Sequence, residues 1–199
     1  MRLGLVGPSE DSEAALRDAV QFLLCDADAE QVIYLGDGEF AGRALEAWRL
    51  ELEGGEGARD FLSRATDAVV RGPSHAIEAL LEADALRAAL DGVRILPAAP
   101  ARAVELLDDR VVLLVHDKSV LDEEDIANAH LVVYGRSEAS ELRRFGRRIF
   151  FTPGPVSLGH VGLLEAAEDG VTLALYDLEG VPLWRESVAT GSTKVTVAR

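Results

Sequence analysis

The chain has 199 residues, 48% of them hydrophobic and 28% charged, a composition that suits one globular domain with a sizeable core. Its formal net charge is −15, which disfavours a nucleic-acid partner, because affinity for a phosphate backbone rests on Lys and Arg. A single cysteine, Cys25, excludes an internal disulfide and permits a reducing compartment, so a cytoplasmic location is expected.

No basic region precedes a long apolar run near Met1, so no signal peptide is expected, and no stretch reaches the roughly 20 apolar residues of a membrane span. The acid excess reads as a solvated surface, with a basic protein partner as the sharper alternative.

In chain order, residues 2–6 read as a short buried strand that ends at Gly7-Pro8. Ser9 and Ser12 both offer N-caps to a helix whose apolar face is Leu16, Val20, Leu23 and Leu24. A second strand, 31–35, ends at Gly36-Asp37-Gly38, and a helix over about 40–53 stops at Gly54-Gly55. Residues 67–70 read as a third strand ending at Gly72-Pro73. The Ala- and Leu-rich stretch 75–90 is helical by propensity and stops at Gly92.

This alternation predicts a layered α/β domain. The second half carries closely spaced strand-like runs at 93–96, 103–107 and 110–116, with Asp108-Asp109 as a hairpin turn. A short helix is expected near 121–127, a buried strand at 131–134, and a further short helix before a strand at 148–152. Runs at 162–167, 171–176 and 182–188 read as antiparallel strands, turning at Asp169-Gly170 and Glu179-Gly180. One domain over 1–190 and a polar tail over 191–199 is the economical division.

The strand ends carry a resemblance. Gly4-Leu5-Val6, Tyr34-Leu35-Gly36-Asp37, Val69-Val70-Arg71-Gly72, the run 112–116, Val132-Val133-Tyr134-Gly135 and the segment Phe151-Thr152-Pro153-Gly154-Pro155 stand in order along the chain. Together they resemble the small bacterial calcineurin-like metallophosphoesterases. The resemblance implies an α/β fold in which a two-sheet β-sandwich is flanked by helices, with two divalent metals at the strand ends. A bridging hydroxide on those metals attacks phosphorus.

Aligned on that pattern, the chain keeps two ligand positions, Asp37 and His116. Two more are replaced by the carboxylates Glu10 and Glu138, and three are lost to Pro8, Pro73 and Arg136. The resemblance therefore implies a dismantled centre with no cofactor. An Arg136–Asp37 ion pair is expected to stand where a metal would, since a guanidinium neutralises facing carboxylates. The alternative is a single Mg²⁺ or Mn²⁺ on Glu10, Asp37 and Glu138.

The corresponding functional expectation is a non-catalytic binding or scaffold module with a protein partner and no membrane or nucleic-acid role. A retromer subunit is the family precedent. The runners-up are a single-metal phosphoesterase and a phosphate or nucleotide sensor. Self-association is common in the family, and nothing in the sequence fixes an interface.

Other residues read more plainly. Ser9 and Ser74, each after Gly-Pro, read as helix caps rather than nucleophiles. The two Gly-Pro-Ser turns could present amides to an anion, but the acidic neighbours oppose it. His75 belongs to a helix's first turn and His160 to a surface loop. The basic cluster Arg143, Arg144, Arg147 and Arg148 is expected on an exposed helix and turn, and Trp48 and Trp184 in the core or at an interface.

Overall fold

Alternation along short apolar runs decides which side chains turn inward. In the computed structural model, which describes residues 1–55, 57, 59–167 and 170–189, strand β1 (Arg2–Val6) sends Leu3 and Leu5 to one side and Val6 to the other. Strand β2 (Gln31–Tyr34) repeats this: Ile33 joins Leu3 and Leu5, while Val32 and Tyr34 join Val6. Helices α1 (Glu13–Gln21) and α2 (Gly38–Leu52) cover the second side with Leu16, Val20, Ala41, Leu45 and Trp48. Ser12 caps α1, its hydroxyl accepting from the Ala15 amide at 3.3 Å.

Strand β3 (Val93–Ile95) extends this sheet, with β1, β2 and β3 parallel. Strands β9 (His160–Ala167), β10 (Gly170–Asp177) and β11 (Pro182–Ala189) join antiparallel beside β1, giving the order β11-β10-β9-β1-β2-β3. The second sheet runs β4-β5-β6-β8-β7, from β4 (Ala103–Leu107), β5 (Arg110–Val115), β6 (Leu131–Tyr134), β7 (Glu141–Phe145) and β8 (Arg148–Thr152). Its centre, β5-β6-β8, is parallel, and its edges are antiparallel hairpins.

The two sheets close face to face over Leu3, Leu5 and Ile33 from one, and Val112, Leu114, Leu131, Val133 and Phe151 from the other. This is the expected two-sheet sandwich with flanking helices. Trp48 is buried beneath α2, and Trp184 packs edge-on against Phe151 with ring centroids 5.5 Å apart. The Arg17 guanidinium lies 5.4 Å from the centroid of the Trp48 ring.

Two elements differ from the sequence reading. Residues 67–70 are not a strand but the end of helix α3 (Phe61–Arg71), which Asp60 caps by accepting from the Ser63 amide at 3.1 Å. The β-branched pair Val69-Val70 suggested a strand. The Asp60 cap and the helical spacing of Leu62, Thr66, Val69 and Val70 outweigh that pair. Helix α4 (Ala76–Ala89) follows, and neither α3 nor α4 buries a single residue. Ser74 does not cap α4; His75 holds the N-cap position without a side-chain bond.

The second difference lies at the basic cluster. Arg143 and Arg144 belong to β7 and Arg148 to β8, a hairpin rather than a helix. The pair Phe145↔Arg148 leaves a two-residue loop, and Gly146 supplies the positive φ (63°) that such a turn requires. Asp108-Asp109 forms the expected hairpin turn between β4 and β5, where Leu107 pairs with Arg110. The short helix α5 (Glu123–Asn128) carries a capping box between Asp122 and Asp125. Asp169 and the tail 191–199 lie outside the described residues. Among the described residues no helix is long and apolar enough to cross a membrane.

Candidate functional site at the carboxyl ends of the strands

Parallel strands aim their carboxyl ends the same way, so the loops after β1, β2, β3, β5, β6 and β8 meet. Their backbones touch. The Leu35 amide donates to the Val6 carbonyl at 2.8 Å, and the Val156 amide to the Pro8 carbonyl at 2.8 Å. A Cβ on Gly7 would sit 1.7 Å from the Gly154 carbonyl oxygen, and one on Gly135 would sit 2.1 Å from that of Leu35. Only glycine permits these approaches.

A buried plug fills the space between the first two loops. The Tyr34 hydroxyl accepts from the Ser9 amide at 3.1 Å and pairs with Ser9 Oγ at 2.9 Å. Ser12, not Ser9, holds the N-cap of α1, and Ser9 is 1% exposed, so it is neither a helix cap nor an accessible nucleophile. Replacing Tyr34 with Phe would leave the Ser9 amide and hydroxyl buried without partners. We expect a loss of about 1–3 kcal/mol in urea denaturation; an unchanged midpoint would mean that water takes the hydroxyl's place.

Beside the plug opens a cleft of about 440 Å³, lined by Asp37, Glu39, Leu96, Pro97, Ala98 and His116 among others. Asp37 and His116 are thus brought together. Asp37 is exposed and caps α2, its Oδ1 accepting from the Glu39 amide at 2.8 Å. His116 Nδ1 donates to the Leu35 carbonyl at 2.9 Å, which leaves Nε2 as the acceptor of the neutral ring. Glu10, exposed with φ 50°, and Glu138, exposed between β6 and β7, do not line this cleft.

The third loop is not where the sequence reading put it. Pro73 stands between α3 and α4, outside the cleft lining, whereas β3 ends at Leu96-Pro97-Ala98, whose side chains carry no metal-binding atom. The expected Arg136–Asp37 pair is also corrected. Arg136 Nη1 donates to Asp117 Oδ2 at 2.8 Å, and its side chain is 74% exposed. Asp117 wins because it follows His116 directly, and the Arg136 amide already bonds the His116 carbonyl at 2.7 Å. The Ser119 amide, with Arg136 adding to it, holds the Asp117 carboxyl below its usual range.

His160 opens β9 rather than lying in a loop, and its Nδ1 pairs with Ser140 Oγ at 2.8 Å. Sequence reasoning passed over Tyr34 and the Pro97 loop. The signal for the first was a tyrosine directly before Leu35-Gly36, and for the second the strand 93–96 itself.

No family model and no curated protein matches this sequence. Solved structures do. Vps29 from Chaetomium thermophilum superposes with a TM-score of 0.57 at 13% identity, covering 100% of both chains. An archaeal phosphodiesterase superposes with a TM-score of 0.52 at 18% identity, covering 88% of this chain and 99% of its own. The zinc complex of Vps29 from Entamoeba histolytica gives 0.52 at 16% identity, over 94% and 99%.

The chain has the calcineurin-like metallophosphoesterase fold. That fold implies a two-metal centre at the loops just described, and the residues here do not fit it. Among the described residues no three His, Cys, Asp or Glu side chains are grouped to hold an ion. Pro8 and the Leu96-Pro97-Ala98 turn bring no donor, and Arg136, turned to Asp117, brings none either.

Proposed function

We propose that this chain is a non-catalytic binding module built on the metallophosphoesterase fold, with a protein as its partner. The donor set carries the reading: of the residues expected to hold metal, only Asp37 and His116 share a cleft. A two-metal hydrolase needs several converging carboxylates and imidazoles. Vps29, a vacuolar protein sorting protein, is among the chains of similar fold.

A second reading has one observation in its favour. His116 is oriented by the Leu35 carbonyl so that Nε2 is free, as a metal-bound histidine is when a backbone carbonyl holds its other nitrogen. One divalent cation on Asp37 and His116 would then support a residual phosphoesterase.

Calorimetric titration with Mn²⁺ and Mg²⁺, together with a phosphodiester hydrolysis assay, separates the two. The expected result is neither heat nor hydrolysis. Hydrolysis that disappears in both Asp37→Asn and His116→Ala would overturn the non-catalytic reading. For the partner, reciprocal capture is expected, each protein retrieving the other; repeated failure to retrieve any protein would count against it.

A further inference from the structure

The outer face of the five-stranded sheet carries a cluster that the strand-end cleft does not involve. Val132 and Tyr134 of β6 point away from the inter-sheet core, and Phe150 packs beside them. Where β7 meets β8, Phe145 stacks edge-on against Phe150, with centroids 5.3 Å apart and planes at 86°. Phe145 remains 58% exposed. With Tyr134 the two rings line an open-sided cavity of about 410 Å³, in the size range of small-molecule pockets.

Its other walls are cationic. Lys118, Arg143 and Arg148 line the same cavity. Lys118 Nζ lies 4.4 Å from the centroid of the Tyr134 ring and 3.3 Å from its hydroxyl. Two of these cations share Glu141: Arg143 Nε donates to it at 2.6 Å, and Lys118 Nζ stands 3.9 Å from it. The Tyr134 hydroxyl also donates to Glu141, at 2.8 Å, which together with Arg143 holds that carboxyl below its usual range. Arg148 bonds only a backbone carbonyl, that of Ala127 at 3.1 Å, among the described residues. On a chain of net charge −15, this aromatic pocket is a local excess of positive charge.

We propose that this pocket binds a small aromatic monoanion, its ring against Phe145 and Phe150 and its anionic group between Lys118, Arg143 and Arg148. Ring stacking supplies the apolar half of the recognition, and the partly exposed cations supply the other. The size of the charge decides for a small ligand. A polyanionic partner is repelled by the whole acidic surface on approach, whereas a single charge within about 8 Å of the pocket senses chiefly the local cations. The site stands apart from the strand-end cleft and holds whether or not that cleft is catalytic.

The test is calorimetric titration of the full chain with 2-naphthoate. Saturable one-to-one binding is expected, and acetate and 2-naphthylmethanol should each bind at least about tenfold more weakly. Phe145→Ala and the double variant Lys118→Gln/Arg148→Gln should each weaken naphthoate by about tenfold or more while melting near the parent temperature. Asp37→Asn should leave the binding unchanged.

No saturable heat below roughly 1 mM would overturn the proposal. So would equal binding of the uncharged alcohol, binding unaffected by Phe145→Ala, or binding lost in Asp37→Asn. An acidic peptide with one phenylalanine that binds more tightly than naphthoate, and competes with it, would replace the small ligand with a protein segment.

Discussion

Replacing Phe151 by alanine should destabilise the chain by about 4 kcal/mol, enough to lower the melting temperature by about 10 °C. The ring has no exposed surface and lies in the layer between the sheets. It meets Trp184 at 90°, and it lies so close to the β9 backbone that a Cβ on Gly162 would come within 2.7 Å of Cε1. Alanine removes the contact between the sheets in the middle of the sandwich. Strands β8 and β9, on either side of the ring, are each tied by ladders on both edges and resist collapse into the void, so the cavity term adds to the lost transfer energy. Urea denaturation checks it. A loss under about 1 kcal/mol would mean that the sheets do not close on this ring.

Gly7→Ala should cost about 3 kcal/mol for a different reason. The new methyl would stand 1.7 Å from the Gly154 carbonyl oxygen, with backbone on both sides. No rotamer relieves such a clash. The loops after β1 and β8 must part, and the Val156–Pro8 hydrogen bond goes with them. Gly42→Ala is the control: on α2 its Cβ would meet only Ile95 Cδ1, at 3.9 Å, and it should stabilise by up to about 1 kcal/mol. Parent-like stability of Gly7→Ala would show that the strand-end loops can move apart at little cost.

The sandwich was legible where apolar alternation and turn residues agreed. The buried strand at 2–6, the Asp108-Asp109 turn and the final hairpin at Glu179-Gly180 each read correctly, because local signal and tertiary demand coincide there. Residues 67–70 read wrongly because Val69-Val70 is a strand-like pair within a longer helical pattern that the short window did not weigh. That error moved the third loop from Pro97 to Pro73 and so misplaced one edge of the site.

The pairing of Arg136 was illegible for another reason. Its distance to Asp37 or Asp117 depends on how two loops cross, which no spacing in the sequence encodes. Tyr34 was overlooked because a hydroxyl that plugs a buried gap looks, in sequence, like any strand tyrosine.

The hairpin of α3 and α4, which buries none of its residues, has a consequence for how the molecule opens. Its amide protons are held only by the helices' own hydrogen bonds, not by the closure of the sandwich. They should therefore exchange with solvent through local fraying, on a timescale set by helix–coil opening, while the amides of β1 and β6 wait for the whole sandwich to separate.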